Sequence, residues 1–304
     1  MPFTLSHAAA VLPGIRRNGT GRGPFLASAL VAGSFAPDLT YYAASVVPGG
    51  MAFGDFTHSA AGIVTVDVLC TALLVGLWLL VREPLTALLP RTWQPRVYRL
   101  LRGERWDAVS PSLAGKFALS AVAGSLTHVG WDLFTHPGRL GMELLPVLGQ
   151  TYAGFPLYTY AQYGTSALAA VGLGWFLATA LRRRPDGAAL TGVPLLDVRR
   201  RTAGIALLLG CAALGAVGRC VIWAAHQSLP LRPFDYVPTA CFGAGAGLLV
   251  GLVLYAVLVG RWRSTSAEPS AMHDSAEPSA MHDSAESSPM HDDTAEARPR
   301  TRSH

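Results

Sequence analysis

The residues able to do chemistry in this chain are a few histidines and aspartates and one arginine, set among apolar neighbours. Residues 127–136 read Thr-His-Val-Gly-Trp-Asp-Leu-Phe-Thr-His. On a helix, His128, Asp132 and His136 follow at i, i+4 and i+8, and each step of four turns only about 40° round the axis. All three side chains then share one face, and Pro137-Gly138 stops the helix just beyond. Imidazole nitrogen and carboxylate oxygen are suitable ligands for zinc or a similar divalent cation. The competing reading of the trio is a hydrogen-bonded His–Asp pair holding helices together. Asp38 follows Pro37, and His58 stands in Asp55-Phe56-Thr57-His58-Ser59. Taken singly, these are a helix cap and an interface histidine. Taken together with 128–136, they put metal-type ligands from three segments at one level.

Other polar residues extend this set. Arg219, Trp223 and His226 share a helix face, and an arginine in a bilayer calls for an acidic partner or an anionic ligand. Asp132 or Asp38 is the structural partner expected; a substrate phosphate or carboxylate is the functional one. Tyr158, Gln162 and Ser166 form a polar stripe whose ordinary role is an aromatic belt with an interhelical hydrogen bond. Asp67 lies about half a turn from His58 on a continuous helix, so it is set outside the site. Cys70, Cys211, Cys220 and Cys241 sit in apolar runs without CxxC spacing and read as small buried hydrophobes.

The elements that must position these groups are membrane helices. Hydrophobic residues make up 51% of the 304 and charged residues 14%, where soluble domains carry about a quarter charged. The expected fold is all-α, a polytopic transmembrane helix bundle over 1–263 with six segments near 25–47, 60–81, 114–134, 158–181, 202–225 and 238–260. Pro37-Asp38 interrupts the first, which therefore either crosses or is broken and re-entrant. Arginines crowd alternate loops: Arg16, Arg17 and Arg22, then six in 82–113, six in 182–201, then Arg261 and Arg263. By the positive-inside rule both termini are then cytoplasmic, in a bacterial plasma membrane, and the candidate site lies in the outer half. The charge is thereby explained without nucleic acid, for which no motif is present. From Ser264 onward eight acidic and three basic residues give −5, leaving +10 of the net +5 on 1–263. SAEPSAMHD at 266–274 recurs at 275–283 and decays to SAESSPMHD at 284–292, a nine-residue repeat expected to form a disordered acidic tail.

The opening Met1-Pro2-Phe3-Thr4-Leu5-Ser6-His7-Ala8-Ala9-Ala10, with Gly33-Ser34-Phe35-Ala36-Pro37-Asp38-Leu39, Thr57-His58-Ser59 and His128-Val129-Gly130-Trp131-Asp132, resembles an uncharacterised bacterial family common in actinobacteria. Its members are multi-pass membrane proteins that start MPFTxSHxAA. That family is similar to the bacterial inner-membrane metal-dependent hydrolases, which carry an early His, a Pro-Asp-x-Asp, a Thr-His-Ser and a His-x-x-x-Asp. The resemblance implies His7, Asp38, His58, His128 and Asp132 as metal ligands; spacing adds His136. Thr40 stands where the second acid of Pro-Asp-x-Asp would be, and the arginine-containing lead-in to Thr-His-Ser is missing. The expectation is a hydrolase with a divalent metal, zinc, that cleaves an ester or phosphoester of a lipid or anionic small molecule. Arg219, Gln162 and His226 would contact that substrate. The alternative is a non-catalytic transporter or scaffold whose His, Asp and Arg residues form a buried polar network. The six-span arrangement puts His7 inside and the other ligands outside, unless residues 1–47 re-enter the membrane.

Overall fold

A computed structural model describes residues 3–47, 49–104, 106, 110–182, 190, 192–227 and 235–271, with side chains as far as 262. The chain divides into a unit of residues 1–263 and one of 264–304. The His-Asp pairs of the repeats lie outside the described residues. The backbone of the last helix continues through 264–271.

The first unit is helical. Short pieces come first: α1 (Ala8–Val11), α2 (Ala27–Gly33), α3 (Leu39–Ala43), α4 (Gly54–Thr57) and α5 (Ala60–Val64). Long helices follow: α6 (Val66–Leu88), then the surface helix α7 (Gln94–Arg102) and α8 (Pro111–Asp132). A short α9 (Leu140–Leu144) and a two-stranded ribbon, β1 (Thr151–Tyr152) with β2 (Phe155–Pro156), lead to α10 (Leu157–Leu181), α11 (Val198–Ala225) and α12 (Tyr236–Ala271). Helix starts are marked by side chains that take up free backbone donors. Ser110 Oγ accepts from Leu113 N with Pro111 at the first position, and Asp197 accepts from Arg200 N at 2.7 Å.

Four helices are long and apolar enough to cross a membrane: Val66–Leu88, Leu157–Leu181, Val198–Ala225 and Tyr236–Trp262. The six-segment expectation is corrected at two places. Segment 25–47 is no span. Proline at 37 cannot donate to a helix, and the chain breaks there into the seven residues of α2, a 3-10 turn at Ala36–Asp38 and the five of α3. Segment 114–134 is one helix of 22 residues, α8, long enough to cross but too polar to count among the four. It carries Lys116, His128, Asp132 and several serines, and its buried positions, Ser120, Ala121, Gly124, Ser125, His128 and Asp132, face protein.

The N-terminal pieces form a hairpin of short helices. The chain runs from His7 through α1, turns at the Ile15–Gly21 bridge and returns through α2 to Asp38. Leu26, Ala29 and Ala32 of α2 pack on Val75 of α6 and on Leu113 and Phe117 of α8. Contact with α8 is backbone to backbone: a Cβ on Gly124 would lie 2.4 Å from Leu30 O, and one on Gly33 2.5 Å from Ala121 O. At the turn, one carboxylate oxygen of Glu104 accepts from the amides of Gly21 and Ala27. α11 and α12 meet just as closely, since a Cβ on Gly247 would lie 2.0 Å from Cys211 O.

Candidate metal centre

The hairpin, the α4 turn and α8 bring four ligand-type side chains to one point. His128 and Asp132 stand one turn apart at the end of α8; Asp38 ends the 3-10 turn after α2; His58 follows α4. One ligand atom from each of Asp38, His58, His128 and Asp132 lies within 4.8 Å of the others. His128 Nε2 is 3.4 Å from Asp38 Oδ1 and 3.4 Å from Asp132 Oδ2. His58 Nε2 is 3.8 Å from Asp38 Oδ1 and 3.9 Å from Asp132 Oδ2. All four side chains are nearly closed to solvent, the most open 7% exposed.

The outward-facing ring nitrogens fix what the inward-facing ones can be. His128 Nδ1 is 2.8 Å from Ser34 O, and His58 Nδ1 is 2.8 Å from Gly54 O. A carbonyl only accepts, so each Nδ1 carries the proton. In a neutral ring Nε2 then offers a lone pair, and both lone pairs point at carboxylate oxygens. His128 Nε2 is fully buried and has no hydrogen-bond partner. Electron-rich atoms gathered in this way repel one another unless positive charge lies among them, either a metal ion or a proton on His128, whose pKa, against the opposing effect of burial, Asp38 and Asp132 raise to about 10. An Nδ1–H held by a backbone carbonyl is the usual support of a metal-binding histidine. Burial above all lowers the pKa of His58, so its ring is neutral at pH 7.

The surroundings hold the carboxylates. The Thr4 hydroxyl donates to Asp38 Oδ2, leaving Oδ1 for the histidines. The Thr57 hydroxyl donates to Pro37 O at 2.8 Å, tying the α4 turn to the peptide before Asp38. Thr135, 2% exposed, donates to Asp132 Oδ1 at 3.4 Å. Spacing analysis did not single out Thr4, Ser34, Thr57 or Thr135. All four lie inside the residue strings quoted above, which was the available signal.

Each of the other expected site residues has a definite place. His7 joins the cluster, its Nε2 3.5 Å from Asp132 Oδ1. His136 is not on the helix of His128 as expected, because α8 ends at Asp132. Its amide still bonds Asp132 O, so the ring stays close, with Nδ1 3.4 Å from Asp132 Oδ2. Its Nε2 meets the Gln162 amide nitrogen at 2.9 Å. That nitrogen donates, so Nδ1 bears the proton, and His136 orients Asp132 rather than offering it a lone pair. With a third of its side chain exposed, it stands at the rim.

Arg219 pairs with neither Asp132 nor Asp38. Its Nη1 donates at 2.6 Å to Tyr41 O and at 2.6 Å to Ser45 Oγ, and the guanidinium lies 5.6 Å above the Phe242 ring. Tyr41 in turn stacks on His58 with centroids 5.6 Å apart. His226 makes no contact with the cluster among the described residues, and its Nδ1 donates to Ile222 O. Asp67 is fully buried at the start of α6, with no hydrogen-bond partner for either oxygen.

A family model described as a domain of unknown function matches residues 1–257. Comparison with the curated proteins and with solved structures finds no match.

Proposed function

The chain belongs to the DUF4184 family, a family of unknown function, and from its site we propose that this member is a membrane-embedded, zinc-dependent hydrolase. One observation carries the reading. Two histidines whose Nδ1 atoms are engaged by backbone carbonyls turn their Nε2 atoms toward an oxygen each of Asp38 and Asp132, all within 4.8 Å. Two imidazoles and two carboxylates are a donor set suited to zinc. Asp38, His58, His128 and Asp132 would hold a divalent cation, which would supply polarisation of an ester or phosphoester oxygen and a lowered pKa for water. Hydrolysis joins the water oxygen to the acyl carbon or phosphorus and breaks the bond to the leaving oxygen, which takes a proton.

The protein's part is to hold and to exclude. Thr4 keeps one Asp38 oxygen turned inward, Ser34 O and Gly54 O fix the two rings, and the closed packing keeps bulk water out. Arg219 has no carboxylate within ion-pair distance among the described residues, so its charge remains available to an anionic head group near the His58 side of the site. The setting supports a lipidic substrate, since four helices of the same unit are long and apolar enough to cross the bilayer. With the arginine-rich helix ends cytoplasmic, the centre faces the outer leaflet of the plasma membrane.

Elemental analysis of protein purified in detergent without chelators tests this. Wild type is expected to carry stoichiometric metal, and His128→Ala and Asp132→Ala to lose it while keeping their helical circular dichroism. Metal-free wild type ends the reading. The same residues would then be the ion-pair network of a transporter or scaffold, in which Arg219 bonds a carbonyl and a hydroxyl instead of an acid.

A further inference from the structure

His7 presents a second set of ligand atoms. Its ring is parallel to that of His128, with centroids 3.7 Å apart and an interplanar angle of 16°. The two rings address the two oxygens of one carboxylate: His128 Nε2 lies 3.4 Å from Asp132 Oδ2, and His7 Nε2 lies 3.5 Å from Asp132 Oδ1. His7 is fully buried, and neither of its ring nitrogens has a hydrogen-bond partner. A buried imidazole with both nitrogens unsatisfied is costly, and such groups call for a role.

We propose that the centre holds two divalent cations bridged by the Asp132 carboxylate. Asp38, His58, His128 and Asp132 Oδ2 form the first position. His7 Nε2 and Asp132 Oδ1 begin the second, where Thr135 Oγ1 also faces the bridging oxygen. Two protein ligands leave the second position open, so it binds more weakly and takes water or substrate oxygen to complete its shell. The inference rests on the metal-centre reading above, and it selects among that reading's substrates. Paired cations clamp the attacking and leaving oxygens of an in-line displacement, which is phosphoester chemistry. The water oxygen joins phosphorus, the ester P–O bond breaks, and the leaving alkoxide takes the proton that water releases.

The test uses Mn²⁺ as the probe on detergent-purified full-length protein. Wild type is expected to bind two equivalents, the second more weakly, with an exchange-coupled electron paramagnetic resonance signal at saturation. His7→Ala is expected to bind one equivalent with the signal of an isolated ion and to retain its helical circular dichroism. A wild-type limit of one equivalent, or two equivalents retained in His7→Ala, overturns the two-metal centre while leaving the single site intact. No binding by wild type removes both. The wild-type titration and spectrum stand without any variant, so misfolding of His7→Ala does not shelter the proposal.

Discussion

At the scale of single residues, the candidate centre depends on hydroxyls and carbonyls outside its set of ligand-type side chains. The Thr4 hydroxyl bonds the Asp38 oxygen that faces away from the histidines. Thr4→Val removes that bond at nearly equal volume, and supporting contacts of this kind are worth roughly 10- to 100-fold in metal affinity. Competitive titration against a fluorescent chelator should find a loss in that range, and no loss would remove Thr4 from the site. Protons compete with metal for the same nitrogens. Burial lowers the pKa of His58 and brings that of His7 down to about 2, so both rings take up protons below the ordinary histidine value. Proton competition at these two rings should therefore set in only below about 6.5, as metal content after dialysis at stepped pH would reveal. Asp67 is the opposite case: a buried carboxylate without hydrogen bonds opposes the fold when charged. Asp67→Asn should leave the melting temperature unchanged or raise it, and a fall of several degrees would mean that the carboxylate has a partner. The ligands were legible because their types are rare in apolar runs. The partners of Arg219 were not, because a carbonyl and a serine hydroxyl carry no charge to search for. Asp67 was placed by a helix phase that does not exist: Thr65, with φ −122° and ψ −86°, breaks α5 from α6 between His58 and Asp67.

At the scale of elements, the long helices were legible from apolar runs and the broken ones only in part. Segment 158–181 matches α10 to within a residue, because nothing polar enough interrupts it. α8 carries its polar residues on the face that meets the hairpin, where length and composition alone cannot tell an inward-facing helix from a span. The fit of α2 against α8 rests on glycine. A Cβ on Gly124 meets the backbone of Leu30 and Ser34, which cannot swing aside as a side chain can. Gly124→Ala should thus separate the two helices and cost about 1–3 kcal/mol, the usual range for overpacking. Because Asp38 ends the 3-10 turn that follows α2 and Asp132 ends α8, thermal melting should fall together with metal content. A variant of wild-type stability would show that the helices have room to spare.

At the scale of the whole molecule, the polar site groups, Arg219 among them, gather at one end of the helices and most of the other arginines at the opposite end. Asp67 opens α6 and Gln162 lies near the start of α10, while His128 and Asp132 close α8 and Arg219 lies in the last turns of α11. Arg82 lies near the far end of α6, Arg182 just past α10, Arg199 to Arg201 at the start of α11, and Arg261 beyond the apolar part of α12. Positive charge alternates in the sequence because successive helices run in opposite directions, and that regularity survived the loss of the first span. The hairpin explains how His7 and Asp38 reach the same end without a crossing between them. It also places two of the candidate ligands on one segment, which α2 holds against α8. The Glu104 carboxylate pins its turn, and its two tips supply His7 and Asp38. Any opening that swings the hairpin away takes ligands from the centre, so occupancy and closure are linked equilibria. At free metal about a hundred times its dissociation constant, such opening should be suppressed roughly a hundredfold, about 2.7 kcal/mol. Amide hydrogen exchange would read this as protection gained in residues 8–36 when metal is added, and an unchanged exchange rate there would uncouple the two. The N-terminal segment of this protein would then be its gauge of metal supply: locked while the ion is plentiful, and the first part exposed to a membrane protease when it is scarce.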